Sequence, residues 1–98
     1  MSNYILTNQA ILDLSDNWNY TYDEHSEQQA DHYYFKLIEV FERLAMNSNI
    51  GKSYSHIYAD LRGFKIEKHT VFYRLLSNSQ IEIVRILHQS MDQENKEF

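Results

Sequence analysis

The spacing of apolar residues changes once along this chain, from a helical period to a strand period, and no other feature constrains the fold as strongly. Between residues 26 and 47, apolar side chains recur at steps of three and four, as they do on one face of an α-helix. From Leu61 onward apolar and polar side chains alternate, which is typical of β-strands. With two glycines and no proline, the chain offers no linker between the two regions. Its 98 residues are enough for one hydrophobic core, so we predict a single domain.

The first half of the chain predicts a strand followed by two helices. Residues 3–7 are expected to form a short strand, and residues 8–24 an amphipathic helix capped by Thr7 or Asn8. Trp18 is the expected core anchor of this helix. The predicted apolar stripe consists of Ile11, Leu14, Trp18 and Tyr22.

A second helix is expected to begin after a polar break. Ser26 and Gln29 stand at the spacing of a capping box, in which each side chain satisfies a backbone amide of the first turn. The helix is predicted to end near Asn47, because asparagine can adopt the left-handed conformation common at helix C-termini. The short break between the helices predicts an antiparallel helical hairpin.

The second half of the chain predicts an antiparallel meander of three strands. In the first run, Leu61 to Glu67, Phe64 and Ile66 alternate with Lys65 and Glu67. The second and third runs, His69 to Leu76 and Gln80 to His88, are rich in β-branched and aromatic residues, and Ser77 to Ser79 between them has turn chemistry. Gly63 interrupts the first run and predicts a bulge or a close backbone approach.

The third run is expected to lie centrally in the sheet, because both of its faces are partly apolar. One predicted face carries Ile81, Ile83 and Leu87, and the other carries Glu82, Val84, Ile86 and His88. The fold class is therefore α+β with two layers and the order β-α-α-β-β-β. In it, an N-terminal strand and an antiparallel helical hairpin pack on a small antiparallel C-terminal sheet. Residues 1–92 form the single domain, and residues 93–98 are expected to be a frayed polar tail.

The charge of the chain disfavours a dedicated nucleic-acid-binding protein. The formal net charge is −5, and it is unevenly distributed. Residues 1–49 hold eight acidic side chains against two basic ones, whereas residues 50–88 hold six basic against three acidic. No secretory signal and no apolar stretch long enough for a bilayer is evident, so a cytoplasmic protein without membrane contact is expected.

Cofactor and metal sites are not expected. A phosphate-binding glycine loop needs more glycines than the two at positions 51 and 63. The absence of cysteine excludes disulfides and thiolate metal sites, and no His-x-x-x-His pair occurs among the five histidines.

Basic residues on the predicted strands leave two interpretations open. A set of lysine, arginine and histidine can cleave RNA by acid–base chemistry without a metal, because it can move protons and stabilise a charged phosphorane. Alternatively, these residues point outward and keep the sheet soluble. The set comprises Arg62, Lys65, Lys68, His69, Arg74, Arg85 and His88.

The same strands resemble the C-terminal half of ParE-type toxins. The resemblance lies in His-Thr-Val-Phe-Tyr-Arg at 69–74, Ile-Glu-Ile-Val-Arg-Ile-Leu-His at 81–88 and Gln-Ser-Met-Asp at 89–92. It extends to roughly residues 4–92. The further matching residues are Asp13-Leu14, Trp18, Tyr20, Gln29-Ala30, Tyr33, Asn49 to Lys52, Leu61-Arg62 and Phe64. Ser48 and Ser26 stand where the family often has proline and glycine, and both serines suit turn positions.

This resemblance implies the toxin of a type II toxin–antitoxin, or plasmid stabilisation, system. ParE-type members inhibit DNA gyrase by binding, without enzymatic activity, and a ParD-like antitoxin neutralises them. The related RelE-type toxins instead cleave mRNA on the ribosome. If this chain were such a ribonuclease, its catalytic residues would be Arg62, Arg74, Arg85 and His88. A degenerate member that binds its antitoxin but no longer poisons cells is a third possibility.

The antitoxin is expected to contact the exposed face of the helical hairpin and a sheet edge. A segment that folds on binding would suit a groove beside aromatic side chains, and an acidic antitoxin tail could pair with basic residues of the sheet. The candidate contact residues are Tyr33, Tyr34, Phe41, Arg74 and Arg85, although core burial is expected for at least two of the three aromatic side chains.

Overall fold

Two helices pack on one face of a five-stranded sheet in the computed structural model, which describes residues 3–91 and 98. The elements in chain order are β1 (Asn3–Leu6), α1 (Asn8–Glu24), α2 (Glu27–Met46), β2 (Lys52–Ser53), β3 (Arg62–Ile66), β4 (His69–Ser77) and β5 (Gln80–His88). The strand order across the sheet is β1-β5-β4-β3-β2. β1 runs parallel to β5, and the other neighbours are antiparallel. The predicted two-layer α+β class is confirmed, and the two-residue strand β2 is an addition to the predicted order.

Side-chain caps begin both helices where the sequence predicted them. Thr7 Oγ1 accepts a hydrogen bond from the Ala10 amide at 3.0 Å, and Ser26 Oγ accepts one from the Gln29 amide at 3.1 Å. Each cap satisfies an amide that the first helical turn leaves without a partner. The second helix ends before Asn47 as predicted, but the left-handed conformation is wrong, because Asn47 has φ −144°. Its amide still donates to the Arg43 carbonyl at 3.0 Å.

A bulge in β5 changes which of its side chains share a face. Phe72 pairs with Arg85 and Tyr73 with Ile83, so Val84 is the extra residue. One inserted residue reverses the alternation that follows it. Ile86 therefore joins Ile81 and Ile83 on the helix-facing side, whereas Val84 and Leu87 lie in a second cluster. The predicted grouping of Leu87 with Ile81 and Ile83 is wrong for this reason.

The core fills both sides of the sheet. The larger cluster lies between the helices and the sheet, and its central members are Leu37, Phe41, Leu44, Val71, Tyr73, Ile81 and Ile83. The smaller cluster, on the other side, consists of Leu61, Phe72, Val84 and Leu87, with Tyr54, Ile57 and Phe98 packed against it. β5 lies inside the sheet between β1 and β4, in agreement with its predicted placement. Of the predicted polar tail, residues 93–97 fall outside the described residues, and Phe98 packs on Phe72 with ring centroids 5.1 Å apart.

Helix α1 is buried less deeply than its apolar stripe predicted. Ala10 is its one fully buried side chain, Leu14 and Trp18 are half-buried, and Ile11 and Tyr22 are 52% and 49% exposed. The side of α1 that meets α2 is centred on Leu14, Asn17 and Thr21, so the buried face is rotated away from Ile11 and Tyr22. Trp18 is consequently a boundary residue, and its prediction as a core anchor is wrong.

The loop that follows α2 is tied to the sheet by Tyr73. The Tyr73 hydroxyl donates to the Ser48 carbonyl at 2.7 Å and accepts from the Gly51 amide at 2.9 Å. A Cβ atom on Gly51 would lie 2.3 Å from that hydroxyl oxygen. Gly63 has a similar role, because its Cβ would lie 2.6 Å from the Tyr54 ring. The close backbone approach predicted at Gly63 is confirmed.

The substitution Gly51→Ala tests this contact. The added methyl group must displace the buried Tyr73 ring, so we expect the free energy of unfolding to fall by about 1–3 kcal/mol. Urea denaturation followed by circular dichroism measures this change. Asn49→Ala, at an exposed position of the same loop, is the control and is expected to change stability little. Equal stabilities for Gly51→Ala and the wild type would contradict the proposed contact.

Candidate functional site

The basic residues predicted for RNA cleavage are each held by a different partner. Arg62 donates through Nη1 to the Gly51 carbonyl at 2.8 Å and so anchors the loop after α2. Arg74 donates to Glu82 at 2.9 Å. This hydrogen bond holds the pKa of the Arg74 guanidinium above its ordinary value.

Arg85 forms the most buried ion pair in the described part of the chain. Its Nε and Nη2 atoms donate to the two carboxylate oxygens of Asp13 at 2.8 and 2.9 Å, and both side chains are 12% exposed. The same carboxylate accepts the Ile86 amide at 3.0 Å. The site prediction omitted Asp13, because this residue lies outside the predicted apolar stripe of its helix. The one sequence signal was indirect, since an arginine on an interior strand needs a buried partner.

The four predicted catalytic residues do not converge on one site. His88 of β5 lies opposite His69, at the start of β4. Arg74 lies five residues further along β4, opposite its partner Glu82. Five residues of strand span about 16 Å. Arg62 lies on β3 and its guanidinium is directed to the loop carbonyl.

A groove between the helical hairpin and the sheet brings together a different set of groups. It is open, has a volume of about 1130 Å³ and lies where β4 begins and β5 ends. The Tyr33 hydroxyl lies 2.9 Å from His69 Nδ1 and 3.2 Å from the Ile66 carbonyl oxygen. The His69 and His88 rings meet edge to face with centroids 5.1 Å apart. The sequence counted both histidines among the basic strand residues but did not place Tyr33 beside them.

Burial changes the pKa values of two groups in this groove, His69 and Tyr33. Burial, and then the nearby His88, lower the pKa of His69. Burial and the charge of Glu67 raise the pKa of the Tyr33 hydroxyl, so this group stays protonated. The Ser90 amide donates to His88 Nδ1 at 3.1 Å, so this ring nitrogen acts as an acceptor. The rim of the groove carries the Lys36–Glu67 ion pair of 2.7 Å.

The predicted antitoxin contacts on the hairpin separate into three environments. Phe41 is fully buried, with its ring centroid 5.4 Å from that of Tyr4, so it is one of the aromatic candidates for which core burial was expected and a partner cannot reach it in the folded chain. Tyr33 faces the groove. Tyr34 is half-buried beside Phe35, which is 62% exposed, and it remains available at the surface.

Residues 3–91 and 98 contain no group of three or more histidine, cysteine, aspartate or glutamate side chains that could hold a metal ion. Over the same residues, no helix is long and apolar enough to cross a membrane.

Comparison with known proteins identifies relatives over almost the whole chain. A family model described as the ParE toxin of the type II toxin–antitoxin system parDE matches residues 4–93. Toxin ParE1 of Mycobacterium tuberculosis is 36% identical over 91 residues, which cover 93% of each chain. Toxin ParE1 of Caulobacter vibrioides is 34% identical over 92 residues, covering 94% of each chain, and Toxin ParE of Escherichia coli is 35% identical over 92 residues, covering 94% of this chain and 89% of its own.

The fold is also similar to a solved one. A chain from the structure described as the chromosomal ParDE TA system from P. aeruginosa superposes with a TM-score of 0.75. The match covers 90% of this chain and 96% of that chain at 19% sequence identity, so the similarity concerns the fold.

The substitution Asp13→Asn tests the buried ion pair. Asparagine has nearly the same shape but no charge, so we expect the free energy of unfolding to fall by about 2–3 kcal/mol. Asp16→Asn, three residues away at an exposed position of α1, is the matched control and is expected to change stability little. Urea denaturation at neutral pH measures both. A control that destabilises as much as Asp13→Asn would show that helix charge, and not the pair, is responsible.

The lowered pKa of His69 predicts a pH dependence of stability. The unfolded chain takes up a proton near the ordinary pKa of 6.5, whereas the folded chain does so at lower pH. The free energy of unfolding should therefore decrease as the pH falls below 6.5 toward the lower pKa of the folded state.

Replacing His69 with asparagine removes this contribution. Between pH 7.5 and 5.5, about one unit on each side of the ordinary pKa, the free energy of unfolding of His69→Asn should therefore fall less than that of the wild type. His32→Asn, at an exposed position of α2, should retain the wild-type slope. Parallel slopes for His69→Asn and the wild type would rule out a contribution from His69.

Proposed function

This chain belongs to the ParE toxin family of type II toxin–antitoxin systems, and on that basis we propose that it inhibits DNA gyrase by binding and is neutralised by a ParD-like antitoxin. Binding to gyrase and binding to the antitoxin would both take place in the cytoplasm. The proposal makes the toxin a binding protein rather than an enzyme. The family match over residues 4–93 is the observation that carries it.

The placement of the basic residues supports binding over catalysis. Catalysis by electrostatic stabilisation requires charged donors aimed at a common point in the substrate. Arg62, Arg74 and Arg85 are instead directed at a loop carbonyl, at Glu82 and at Asp13. The net charge of −5 further disfavours docking on RNA.

The antitoxin is proposed to cover the outer face of the helical hairpin and the neighbouring edge strand β1. Tyr34 is the predicted contact residue that this surface retains, and Phe35 lies exposed beside it. Arg74 and Arg85 are weaker candidates than the sequence indicated, because each already has an acidic partner within the chain. A bound antitoxin would have to compete with Glu82 or Asp13 for them.

A ribosome-dependent ribonuclease of the RelE type is the second candidate function. The observation in its favour is the groove, which holds the His69 and His88 imidazoles beside the Tyr33 hydroxyl. Two imidazoles in one groove could act as acid and base. This site would differ from the set that the sequence suggested, because it lacks Arg62, Arg74 and Arg85.

A pair of assays with the purified toxin separates these functions. We expect the wild type to inhibit supercoiling by gyrase and to leave mRNA intact in a translating extract. His88→Ala should inhibit gyrase as the wild type does, because it alters the groove and not the fold. Addition of the antitoxin, taken as the product of the neighbouring reading frame, should restore supercoiling, and it should do so less well for Tyr34→Ala.

Normal supercoiling at an excess of toxin would refute gyrase inhibition. Cleavage of mRNA that is lost in His88→Ala and retained in His32→Ala would instead establish the ribonuclease. Unimpaired growth of bacteria that express the chain alone, with both assays negative, would indicate a degenerate toxin.

A further inference from the structure

The outer face of the helical hairpin carries exposed and half-buried aromatic rings between carboxylates. This surface, termed the aromatic–acidic strip, is formed by Trp18 and Tyr22 of α1 and by Asp31, Tyr34, Phe35 and Glu42 of α2. Positions 31, 35 and 42 are separated by four and seven residues, so their side chains lie along one side of α2. Tyr22 is 49% and Phe35 62% exposed.

Specific contacts join the two helices within the strip. Trp18 Nε1 donates to Asp31 Oδ1 at 3.0 Å, and the indole stacks on the Tyr22 ring with centroids 5.2 Å apart. The Tyr34 and Phe35 rings meet edge to face at 5.5 Å. The second carboxylate oxygen of Asp31 has no hydrogen bond among the described residues. The strip therefore presents ordered rings and an available acceptor.

The charges of the hairpin leave the strip acidic. Residues 8–46 contain eight acidic side chains and two basic ones, Lys36 and Arg43. Both bases lie on the opposite flank of α2, because Lys36 pairs with Glu67 and Arg43 lies 5.7 Å from the centroid of the Phe64 ring. At the other end of the strip the charge of Glu42 contributes, after burial, to raising the pKa of Tyr4 in β1.

We propose that the aromatic–acidic strip binds a lysine- or arginine-bearing amphipathic segment of the antitoxin. Aromatic faces attract ammonium and guanidinium groups, and carboxylates pair with them. The exposed rings can also cover the aliphatic stems of those side chains. Charge complementarity selects this occupant, because nucleic acid and anionic membranes would be repelled by the same acids.

This inference rests on the proposed neutralisation by an antitoxin. It assigns a basic antitoxin segment to the toxin surface, whereas an acidic one was first expected. An acidic antitoxin tail was expected to pair with basic residues of the sheet, but the two candidates among them, Arg74 and Arg85, are already bound by Glu82 and Asp13. The free charges of the hairpin are acidic. The complementary charges on the antitoxin segment that lies on this face are therefore basic.

Peptide titration of the full chain tests the proposal. Trp18 is the single tryptophan, so its fluorescence reports binding at the strip directly. The probes are two designed amphipathic peptides of about 15 residues, near the length at which isolated helices become stable. They share the same leucine and alanine positions, and the polar positions carry lysine in one peptide and glutamate in the other.

The lysine peptide is expected to bind and the glutamate peptide to fail. Binding should weaken at high salt, because exposed charge pairs are screened. The double variant Asp31→Asn/Glu42→Gln should lose on the order of fivefold in affinity, the effect of two exposed ion pairs. Asparagine at position 31 keeps the acceptor for the Trp18 indole, so the fold should persist, and circular dichroism verifies this.

Asp16→Asn/Asp60→Asn is the matched control. It removes two negative charges outside the strip, both at exposed positions, and asparagine tolerates the φ of 63° at position 60. It should bind the lysine peptide as the wild type does. An equal loss in this double variant would show that net charge alone governs binding and would overturn the proposal.

The remaining outcomes also decide the question. Equal binding of both peptides would reduce the strip to an apolar surface, and absence of binding to either would remove it as a docking site. Self-association of the chain with a change in Trp18 fluorescence would assign the strip to a second copy. None of these outcomes involves gyrase, so a negative titration combined with effective neutralisation by the antitoxin would refute the strip and leave the proposed function intact.

Discussion

The carboxylate of Asp13 closes the edge of β5 where β1 ends, and the arrangement of both layers depends on this contact. β1 pairs with β5 only as far as Leu6 and Ile83. Beyond that point the Thr7 hydroxyl donates to the Val84 carbonyl, and Asp13 accepts from Arg85 and from the Ile86 amide. Because a buried backbone amide without a partner is costly, α1 has to lie against this edge. The position of α1 in turn sets the orientation of the hairpin and the opening of the groove.

The charged side chains of the sheet and of the hairpin are used differently. The arginines of β4 and β5 are paired within the chain, Arg74 with Glu82 and Arg85 with Asp13, whereas Lys65 and Lys68 are exposed. Acidic side chains of the hairpin, apart from Asp13 and Asp31, have no hydrogen bond or ion pair within the described residues. Because these two arginines are paired and the net charge is −5, the protein is better suited to binding another protein than to binding RNA. The polar groove that holds Tyr33, His69 and His88 is the feature of the described residues that favours the alternative function, RNA cleavage.

Much of the fold could be predicted because the responsible interactions are local. The caps Thr7 and Ser26, the helical spacing of α2 and the turn before Gln80 depend on residues close in sequence, and the structure agrees with each. Predictions of which side of a helix is buried, and of which residues distant in sequence contact each other, were less successful. The buried side of α1 was displaced, because Ala10 and the side around Leu14 and Asn17 pack inward instead of Ile11. Phe41 was offered as a contact but is a core residue, since periodicity alone does not tell the inner edge of an apolar stripe from the outer one.

The sequence by itself determined the two helices and the four longer strands, their order, the α+β class and, through resemblance over nearly the whole chain, the family. These follow from propensities, capping and periodicity that act over a few residues. Only the tertiary structure decided that Val84 bulges and so exchanges the faces of Ile86 and Leu87. It alone decided that Asp13 meets Arg85 across 72 positions and that Tyr33 meets His69 across 36. Such contacts are invisible to local patterns because they form only when the packed layers bring distant backbone and charged groups into a space where each must find a partner.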